Sequence, residues 1–577
     1  MTTTTTSSWS RRRGFVLAVF AALAMTLVVR AVYIQLIDDD FYKKEGRDRQ
    51  IRTVEISASR GDLLDRHGDP IAISTPIPSL YGDPDKLIES PGLIQDVAGL
   101  LSVDANRLQE RISLAAERGR SFVYIQRHVA PALVEQVVAL DVPGLAVMQE
   151  YRRYYPSAGT ASHLVGFTGI DDHGREGLEM AYDQWLSGKS GKRRLVKDLV
   201  GREIAGTDII KPAIAGKDLY LSIDRKLQYF ANRALEEAIK EHKAESGSVV
   251  VMNVKSGEIM AMTNYPSYNP NDVSDRSGGR QRNRAITDVF EPGSTMKPFT
   301  IAAALESGDF KPEDIVYTSP GRYTIGKYEI SDDGKDHGWL DLGGVVSKSS
   351  NVGISKIARQ LEPEQMWSVF DSFGFGRPPG SEFPGEVAGY FNHPTLWHHV
   401  EQASVSFGYG ISVSALQLVH AYSAMANDGV MMPISFLRLD EPVNGKQVVD
   451  SYIARDVTKM LESVVTGGSG KRAKVPGYRV AGKTGTSHRS QSGGYAEDSY
   501  VSVFAGFAPV SDPQLAIAVV VHDPQAGEHF GGVVAAPVFA NVMSHALRLG
   551  GIDPDDIDKR RIDDQRAAVV VPAGDRS

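Results

Sequence analysis

The sequence predicts an α+β protein with a single N-terminal transmembrane helix and at least two further domains. The chain has 577 residues, which is more than one compact hydrophobic core usually holds. Its N-terminal region contains an apolar run that is long enough to cross a bilayer. Beyond about residue 221, a long amphipathic helix leads into a pair of strands, an order that is typical of an α+β domain.

The composition excludes several classes of function. With a net charge of −8, the chain has no bias toward nucleic acid. It contains no cysteine, which excludes a disulfide framework, a cysteine nucleophile and thiolate metal ligands. The hydrophobic and charged fractions, 42% and 23%, are ordinary for folded domains.

The anchor is predicted from the N-terminal residues. Three arginines at 11–13 precede an apolar run over residues 14–37, which only Arg30 interrupts, and three aspartates follow at 38–40. About 20 residues suffice to span a bilayer, and a positive flank marks the cytoplasmic side. We therefore expect residues 1–13 to form a cytoplasmic tail and residues 14–37 a transmembrane anchor, with the bulk of the chain outside.

A cleaved signal peptide is the alternative interpretation of the same segment. Ala22-Leu23-Ala24 has the small-residue pattern of a cleavage site. Because cleavage there would leave a strongly apolar new N-terminus, the uncleaved anchor is favoured.

The remaining chain divides at about residue 221. Before it, the polar stretch "SGKSGKRR" (187–194) predicts an exposed loop or linker. After it, "DRKLQYFANRALEEAIKEHKA" (224–244) predicts a helix that Asp224 caps. The apolar face of this helix consists of Leu227, Ala231, Ala234, Leu235, Ala238 and Ile239.

Strands and further helices follow this first helix. "SVVVMNV" and "IMAMT" predict a hairpin, and "YVSVFAGFAPV" and "QLAIAVVVHDP" predict two late strands. "LGGVVSKSSNVGISKIARQL" and "SALQLVHAYSAMAN" have helical patterns. The polar stretches 324–338 and 487–499 are expected to be loops, and the residues after about 550 a poorly ordered tail.

The first candidate for chemistry is "EPGSTMKPFT" (291–300). A proline and a glycine break the preceding structure, and the helical pattern that follows has Ser294 in its first turn and Lys297 one turn on. Unpaired N–H groups at a helix start could hold a developing oxyanion, and a partly desolvated lysine could take the serine's proton. A capping serine followed by a surface lysine has the same spacing, so the motif alone leaves both interpretations open.

The second candidate is "SKSSNVG" (347–353). Ser349 and Asn351 stand at a predicted helix start, where both residue types are common caps. Taken alone, this motif favours a structural role.

The third candidate, "VAGKTGTS" (480–487), has two competing interpretations. "GYRVAGKT" (477–484) matches the phosphate-loop pattern of an ATPase, and Asp523 ends an apolar strand downstream where magnesium could bind. However, the residues after Lys483 are polar and glycine-rich, whereas a phosphate loop leads directly into a helix. The competing interpretation is a strand whose lysine lines a groove and whose Gly485 lets a substrate backbone come close.

The three motifs occur together and in order, as they do in penicillin-binding proteins and serine β-lactamases. The sequence resembles the penicillin-binding proteins over nearly its whole length, and especially class B, transpeptidase-only members of the septal, FtsI-like type. "RGDLLDRHG", "RRYYPSAGTASHLVGFTG" and "GREGLE" are similar to the non-catalytic pedestal of that class. "FEPGSTMKPFT", "SSNVGISKIA", "GYGISVSALQL" and "YRVAGKTGTS" are similar to its catalytic half.

This resemblance implies a domain organisation and an activity. Residues 38–220 would form an extended pedestal or dimerisation domain, residues 221–550 a transpeptidase domain with an antiparallel sheet flanked by helices as in serine β-lactamases, and residues 551–577 a flexible tail. The enzyme would be a D,D-transpeptidase that cross-links peptidoglycan stem peptides during septal wall synthesis through a serine acyl-enzyme. The alternatives are an elongation-type class B transpeptidase, a β-lactamase, the phosphate-loop ATPase and a non-catalytic penicillin-sensing or scaffold protein.

The resemblance also implies a role for each motif residue. Ser294 would be the nucleophile, Lys297 its general base and Ser349 a proton relay to the leaving amine. Substrate would be bound by Asn351, Lys483, Thr484, Gly485 and Thr486, and the backbone N–H groups of Ser294 and Thr486 would form the oxyanion hole. No metal and no cofactor is expected.

The implied partners are stem peptides ending in D-Ala-D-Ala, β-lactam antibiotics, a membrane glycan polymerase of the FtsW type and other divisome proteins. The implied location is the inner (cytoplasmic) membrane, with the N-terminus in the cytoplasm and the catalytic domain in the periplasm.

Overall fold

The structure is a computed structural model that describes residues 6–37, 51–197, 203–332, 334–491 and 494–556. The described residues form two compact units. The first unit draws on residues 1–59, 75–152 and 188–216, and the second on residues 60–74, 153–187 and 217–577. The predicted tails at 1–13 and 551–577 lie partly outside the described residues, and the predicted domain boundaries stay predictions.

The predicted anchor region is a long helix. An α-helix spans Thr6–Val32, and a π-helical segment follows at Tyr33–Ile37. The stretch Arg11–Gln35 has a mean hydropathy of 2.4 and is 0% buried, so its length and composition suffice to cross a bilayer. A second segment, Gly531–Leu549, is also long and apolar enough to span a bilayer, but half of it is buried inside the second unit. We therefore interpret it as part of the core and not as a membrane span.

Besides the N-terminal helix, the described residues of the first unit form four helices and two groups of paired strands. The helices are Pro84–Ile88, Pro91–Leu101, Ala105–Glu117 and Pro131–Val138. Strand Pro70–Gly82 pairs with Val123–Gln126 and Leu145–Tyr154. Strands Ile51–Ile56, Gly191–Lys197 and Glu203–Lys211 form a separate antiparallel sheet.

The predicted loop at 187–194 is therefore partly wrong. Its second half begins the strand Gly191–Lys197, which pairs with Ile51–Ile56. The glycine, serine and lysine content suggested a loop, but strand pairing with a distant segment overrides local propensity.

The second unit is built on a five-stranded antiparallel sheet. Its strands are β1 (Ser246–Asn253), β2 (Ile259–Tyr265), β3 (Ala481–Gln491), β4 (Gly494–Ala508) and β5 (Leu515–His522). Across the sheet they follow the order β2-β1-β5-β4-β3, which makes β3 an edge strand. The predicted hairpin and late strands are confirmed.

The second unit has helices on both faces of this sheet and further helices packed against them. They are α1 (Arg225–His242), α2 (Lys297–Glu306), α3 (Leu342–Lys348), α4 (Asn351–Ala358), α5 (Ala415–Ala426), α6 (Ser451–Thr466) and α7 (Ala536–Leu549). Because successive strand residues point to opposite faces, Val249 and Val251 share a core with α1 and α7, whereas Val250 and Met252 share one with α2 and α5. The α+β prediction is confirmed.

The first helix of this unit begins where the sequence predicts. The Asp224 carboxylate accepts hydrogen bonds from the backbone N–H groups of Lys226 and Leu227, at 2.8 and 3.0 Å. All six predicted apolar-face residues of α1 are buried.

Smaller elements connect these parts of the second unit. Further helices are Ser162–Val165, Gly177–Ala181, Asp183–Leu186, Arg284–Thr287, Pro363–Ser372, His399–Val405 and Gly531–Val534. Two-stranded pairs join Ile315–Tyr317 to Trp339–Asp341, Arg322–Ile325 to Tyr328–Ser331, Tyr390–Phe391 to Ile411–Ser412, and Val430–Met431 to Lys446–Gln447.

A buried ion cluster joins the three motifs that resemble the pedestal of class B proteins. Glu179 lies 2.7 Å from the guanidinium of Arg60 and 2.6 Å from that of Arg153, and all three side chains are at most 1% exposed. Removing one member of such a cluster leaves an uncompensated buried charge. These motifs therefore meet in a structural cluster within the second unit.

Candidate active site

Ser294 and Lys297 are in direct contact. Ser294 lies in a 3₁₀ turn, Gly293–Met296, and Lys297 is the first residue of α2. The Lys297 side-chain nitrogen lies 2.9 Å from Ser294 Oγ, and the lysine is 0% exposed. The expected α-helical first turn is thus a 3₁₀ turn that leads into the α-helix, and the lysine is buried beneath the serine.

The Lys297 amine also contacts two residues of the second motif. Besides Ser294 Oγ, it lies within hydrogen-bond distance of the Ser349 carbonyl oxygen at 2.7 Å, Ser349 Oγ at 3.1 Å and Asn351 Oδ1 at 2.8 Å. One nitrogen therefore has four oxygen partners, more than the three N–H groups of an ammonium.

The second motif is not a helix cap in the way the sequence suggests. Ser349 ends α3 in a left-handed conformation with φ of 61°, and Ser350, not its neighbours, caps α4 by accepting the Gly353 N–H at 2.8 Å. α4 begins at Asn351, in agreement with the predicted helix start, and a separate helix, α3, ends directly before Ser349. The left-handed residue turns the Ser349 carbonyl toward Lys297, at a local cost of roughly 1–2 kcal/mol.

Asp332 holds this break in place. Its carboxylate accepts hydrogen bonds from the Ser350 hydroxyl at 2.6 Å and the Val352 N–H at 2.9 Å. The neighbouring Ser331 carbonyl accepts a hydrogen bond from Asn351 Nδ2 at 3.1 Å, which fixes Asn351 Oδ1 toward the lysine. Sequence reasoning missed Asp332 as an organiser, because its role depends on a contact with residues that are distant in sequence.

The third motif lies on edge strand β3. The Lys483 side chain is 0% exposed and donates to Ser349 Oγ at 2.9 Å and to the Thr484 carbonyl at 3.1 Å. Burial lowers the pKa of Lys483 to about 7. The phosphate-loop interpretation is wrong, because Lys483 lies within a strand that leads to another strand and not to a helix.

The two threonines of this motif are also anchored. Thr484 Oγ1 lies 2.8 Å from Ser469 Oγ, and Thr486 Oγ1 accepts the Gly531 N–H at 3.0 Å. Nothing in the sequence indicated that Ser469, which lies in a glycine-rich stretch, would contact this motif.

Close backbone approach explains three glycines. A Cβ atom on Gly408 would lie 2.2 Å from the Gly293 carbonyl oxygen, and one on Gly485 would lie 2.6 Å from the Pro292 carbonyl oxygen. A Cβ atom on Gly293 would lie 3.1 Å from the carbonyl oxygen of Thr486. The turn that carries Ser294 is thus packed directly against the backbone of β3.

Glu291 ties this turn to two further segments. Its Oε1 accepts hydrogen bonds from the Gly410 N–H at 2.8 Å and the Tyr495 hydroxyl at 3.1 Å, and its carbonyl oxygen accepts from Ser487 at 2.7 Å. Burial raises the pKa of Glu291. Glu291 is the first residue of the motif "EPGSTMKPFT", but the sequence alone does not predict that it connects these segments.

One cavity of about 850 Å³ opens over the three motifs. Of the eight predicted site residues, the cavity is lined by Ser294, Ser349, Asn351, Thr484 and Thr486. Lys297, Lys483 and Gly485 lie behind this lining. Tyr500 forms part of the wall, with its ring stacked on His529 at 3.8 Å between centroids.

The two polar stretches predicted to be loops border this cavity. Lys335 and His337 come from the first stretch and His488 from the second. Both stretches contain strand residues, since Tyr328–Ser331 pairs with Arg322–Ile325, and β3 and β4 extend through most of the second.

Comparisons with known proteins identify the family. The profile of the penicillin-binding protein transpeptidase domain matches residues 247–544, and that of the penicillin-binding protein dimerisation domain matches residues 55–221. Peptidoglycan D,D-transpeptidase FtsI of Escherichia coli K12 is 40% identical over 546 residues, which cover 93% of this chain and 91% of that protein. A probable peptidoglycan D,D-transpeptidase, PbpC of Pseudomonas aeruginosa, is 40% identical and covers 96% of this chain and 98% of its own length.

A solved structure supports the same fold. Penicillin-binding protein 3 from Mycobacterium tuberculosis, complexed with aztreonam, has a TM-score of 0.67 and 26% identity, and covers 87% of this chain and 98% of its own chain. The chain therefore belongs to the penicillin-binding protein family. Its dimerisation and transpeptidase domains and its similarity to FtsI make it a class B member of the FtsI type, as the sequence motifs predicted. Together with the N-terminal apolar helix, this similarity indicates a membrane-anchored protein.

Proposed function

We propose that this protein is a peptidoglycan D,D-transpeptidase that cross-links stem peptides during septal wall synthesis and is acylated by β-lactams. One observation carries the proposal: an unbroken series of contacts leads from Ser294 through Lys297 to Ser349, each 3.1 Å or shorter. Lys483 extends the series by a further contact of 2.9 Å to Ser349 Oγ. A serine nucleophile with a buried amine base and a second hydroxyl as relay is the equipment that acyl transfer requires.

The contacts of Lys297 are compatible with a role as the general base. A neutral amine has two N–H groups and one lone pair. The carbonyl oxygens of Ser349 and Asn351 can only accept, and they lie 2.7 and 2.8 Å from the amine nitrogen. With both N–H groups engaged there, the lone pair is left for the Ser294 hydroxyl at 2.9 Å.

The proposed acylation step follows from these contacts. Ser294 Oγ attacks the carbonyl carbon of the penultimate D-Ala while its proton passes to Lys297. The peptide bond then breaks, and Ser349 gives its proton to the leaving amine of the terminal D-Ala and is reprotonated from Lys297. An acceptor amine from a second stem peptide attacks the resulting ester, which reverses the proton transfers, forms the cross-link and frees Ser294.

Substrate binding is proposed along β3. Lys483, Thr484 and Thr486 would hold the terminal carboxylate, and Gly485 would allow close approach. The N–H groups of Ser294 and Thr486 would stabilise the oxyanion, each such donor being worth about 10²–10³ in rate. Asn351 would contact the donor peptide.

The cellular setting is proposed from family similarity and charge. The arginines that precede the apolar helix favour a cytoplasmic N-terminus and a periplasmic catalytic unit at the inner membrane. The resemblance of the motifs to septal class B proteins implies a glycan polymerase of the FtsW type and other divisome proteins as partners, and we retain both as proposed partners. We keep residues 38–220 as the proposed pedestal, 221–550 as the transpeptidase domain and 551–577 as the tail.

Intact-mass measurement of the full-length protein in detergent, with and without benzylpenicillin, tests the proposal. We expect a lasting adduct of one penicillin on the wild type and none on Ser294→Ala. Ser544→Ala is a matched control for loss of a serine hydroxyl, since Ser544 lies on α7 and does not line the cavity.

Two outcomes would contradict the proposal. If the folded wild-type protein forms no adduct, acyl transfer to Ser294 is excluded. Rapid loss of the adduct with continued drug turnover would identify a β-lactamase instead.

A further inference from the structure

Four exposed basic residues border the active-site cavity and have no assigned role. They are Lys335, Lys348, Lys471 and Arg472, and all four line the cavity. Among the described residues, none of them makes an ion pair with an acidic side chain, whereas other surface cations such as Lys459 do. Their charges therefore face the cavity and the solvent.

The cavity offers almost no compensating negative charge. Asp332 is the one carboxylate among the described residues that line it. Both oxygens of that carboxylate are already engaged by the Ser350 hydroxyl and the Val352 N–H. A cleft lined by one sign of charge concentrates ligands of the opposite sign, so this cavity favours anionic ligands.

Three of these cations lie on the side of the cavity that holds Thr484. A Cβ atom on Gly468 would lie 2.6 Å from the Ser347 carbonyl, so the end of α3 touches the loop that carries Lys471 and Arg472. Ser469 of the same loop lies 2.8 Å from Thr484 Oγ1. Lys348 immediately precedes Ser349 on α3.

The number of cations exceeds what one carboxylate needs. The proposed function assigns the terminal carboxylate of the donor peptide to β3, with Lys483 as its charge partner. The four exposed cations are additional to that site, and guanidinium and ammonium groups pair well with carboxylates.

We propose that Lys335, Lys348, Lys471 and Arg472 form a subsite for a second, internal carboxylate of the donor peptide. The enzyme then selects donors whose acidic residue is a free acid over donors in which it is an amide. This inference rests on the proposed transpeptidase function and deepens it by naming the substrate class.

The test compares two synthetic donors that both end in D-Ala-D-Ala and differ only in an internal glutamate or glutamine. Full-length protein in detergent is assayed for release of D-Ala, and kcat/KM is measured for each donor. The wild type should prefer the glutamate donor roughly 3- to 10-fold, the range expected for two or three partly exposed ion pairs. The double variant Lys471→Gln/Arg472→Gln should bring this ratio close to one.

Lys474→Gln is the matched control. Lys474 is an exposed lysine two positions beyond Arg472, and it does not line the cavity. This variant should keep the wild-type ratio between the two donors. Formation of a benzylpenicillin adduct shows that each variant is folded. Lys348→Gln is a further test of the subsite, because Lys348 lies on α3 and not on the loop that carries Lys471 and Arg472.

The remaining outcomes overturn the inference. Equal use of both donors by the wild type, or an unchanged ratio in both the double variant and Lys348→Gln, would exclude the subsite while leaving the proposed function intact. If the wild type releases no D-Ala, protection of Ser294 from benzylpenicillin by each donor replaces turnover as the measurement, and equal protection is the overturning result. Absence of both turnover and penicillin adduct would overturn the inference and the proposed function together.

Discussion

The floor and the rim of the cavity use basic residues in different ways. On the floor, Lys297 and Lys483 are 0% exposed and are held by short hydrogen bonds to motif residues. On the rim, four exposed cations touch no described carboxylate. A buried amine can change its protonation state during a reaction because burial disfavours its charge, whereas exposed cations act through a field that salt screens. The comparison suggests that the floor carries the chemistry and the rim the selection of ligands.

Removal of a floor lysine should have the largest effect. Lys297→Met keeps an unbranched side chain, one atom shorter, but removes the amine that contacts Ser294, Ser349 and Asn351. We expect the second-order rate constant for acylation by benzylpenicillin to fall by about 10²–10⁴, the usual contribution of general base catalysis. Intact-mass time courses measure this rate, and a fall of less than tenfold in a folded variant would break the assignment of chemistry to the floor.

The backbone beneath Ser294 should be nearly as sensitive. In Gly408→Ala the new methyl group would lie 2.2 Å from the Gly293 carbonyl oxygen, so the turn that carries Ser294 must move. A displacement of about 1 Å can cost about 10²-fold in rate, and we expect a loss of that order in penicillin acylation.

Gly410→Ala is the control for this backbone prediction. Both glycines have positive φ, 86° and 75°, so both variants carry similar left-handed strain. The nearest atom to a methyl group at Gly410 is 3.8 Å away. Comparable losses in the two variants would assign the effect to backbone strain and not to displacement of the Ser294 turn.

The floor residues were predictable from the sequence because they are adjacent to one another in short motifs. Ser294 and Lys297 are three residues apart, and the residues around Lys483 follow one another on a strand whose pattern was recognisable. The central sheet and α1 were predictable for a similar reason, since a continuous apolar run and a capping aspartate are local signals.

The rim and the supports of the floor were not predictable, because they depend on contacts between distant segments. Asp332 reaches Ser350, and Ser469 reaches Thr484, across the cavity wall. The left-handed conformation of Ser349, which separates α3 from α4, has no local signal in the sequence. An exposed lysine in sequence is usually a solvated surface residue, so Lys471 carried no signal until the cavity was visible.

The pH dependence of acylation should reveal the ionisation of the floor lysine Lys483. Burial lowers the pKa of Lys483 to about 7, so its protonated share falls from about half at pH 7 to about a tenth at pH 8. If the charged form holds the ligand carboxylate, the acylation rate constant should fall several-fold over this interval. The pH profile of this second-order rate constant reports the pKa of such a group in the free enzyme.

Lys483→Gln is the comparison for this pH profile. The variant should react more slowly overall, and its rate should lack the decline above pH 7 that Lys483 causes. A decline of the same size in wild type and variant would show that another group, and not the floor lysine, is responsible.

The smallest expected effect belongs to the rim and concerns salt. The screening length falls from about 10 Å at 0.1 M to about 3 Å at 1 M salt, which weakens interactions between exposed charges. The preference for the glutamate donor over the glutamine donor should therefore shrink by roughly 2- to 3-fold between these concentrations in the wild type, in line with the modest strength of exposed pairs. Lys335→Gln should start from a smaller preference and lose less of it, whereas Lys474→Gln should follow the wild type. A preference that does not respond to salt would mean that the second carboxylate is held by buried groups, and the distinction between floor and rim would then fail for ligand selection.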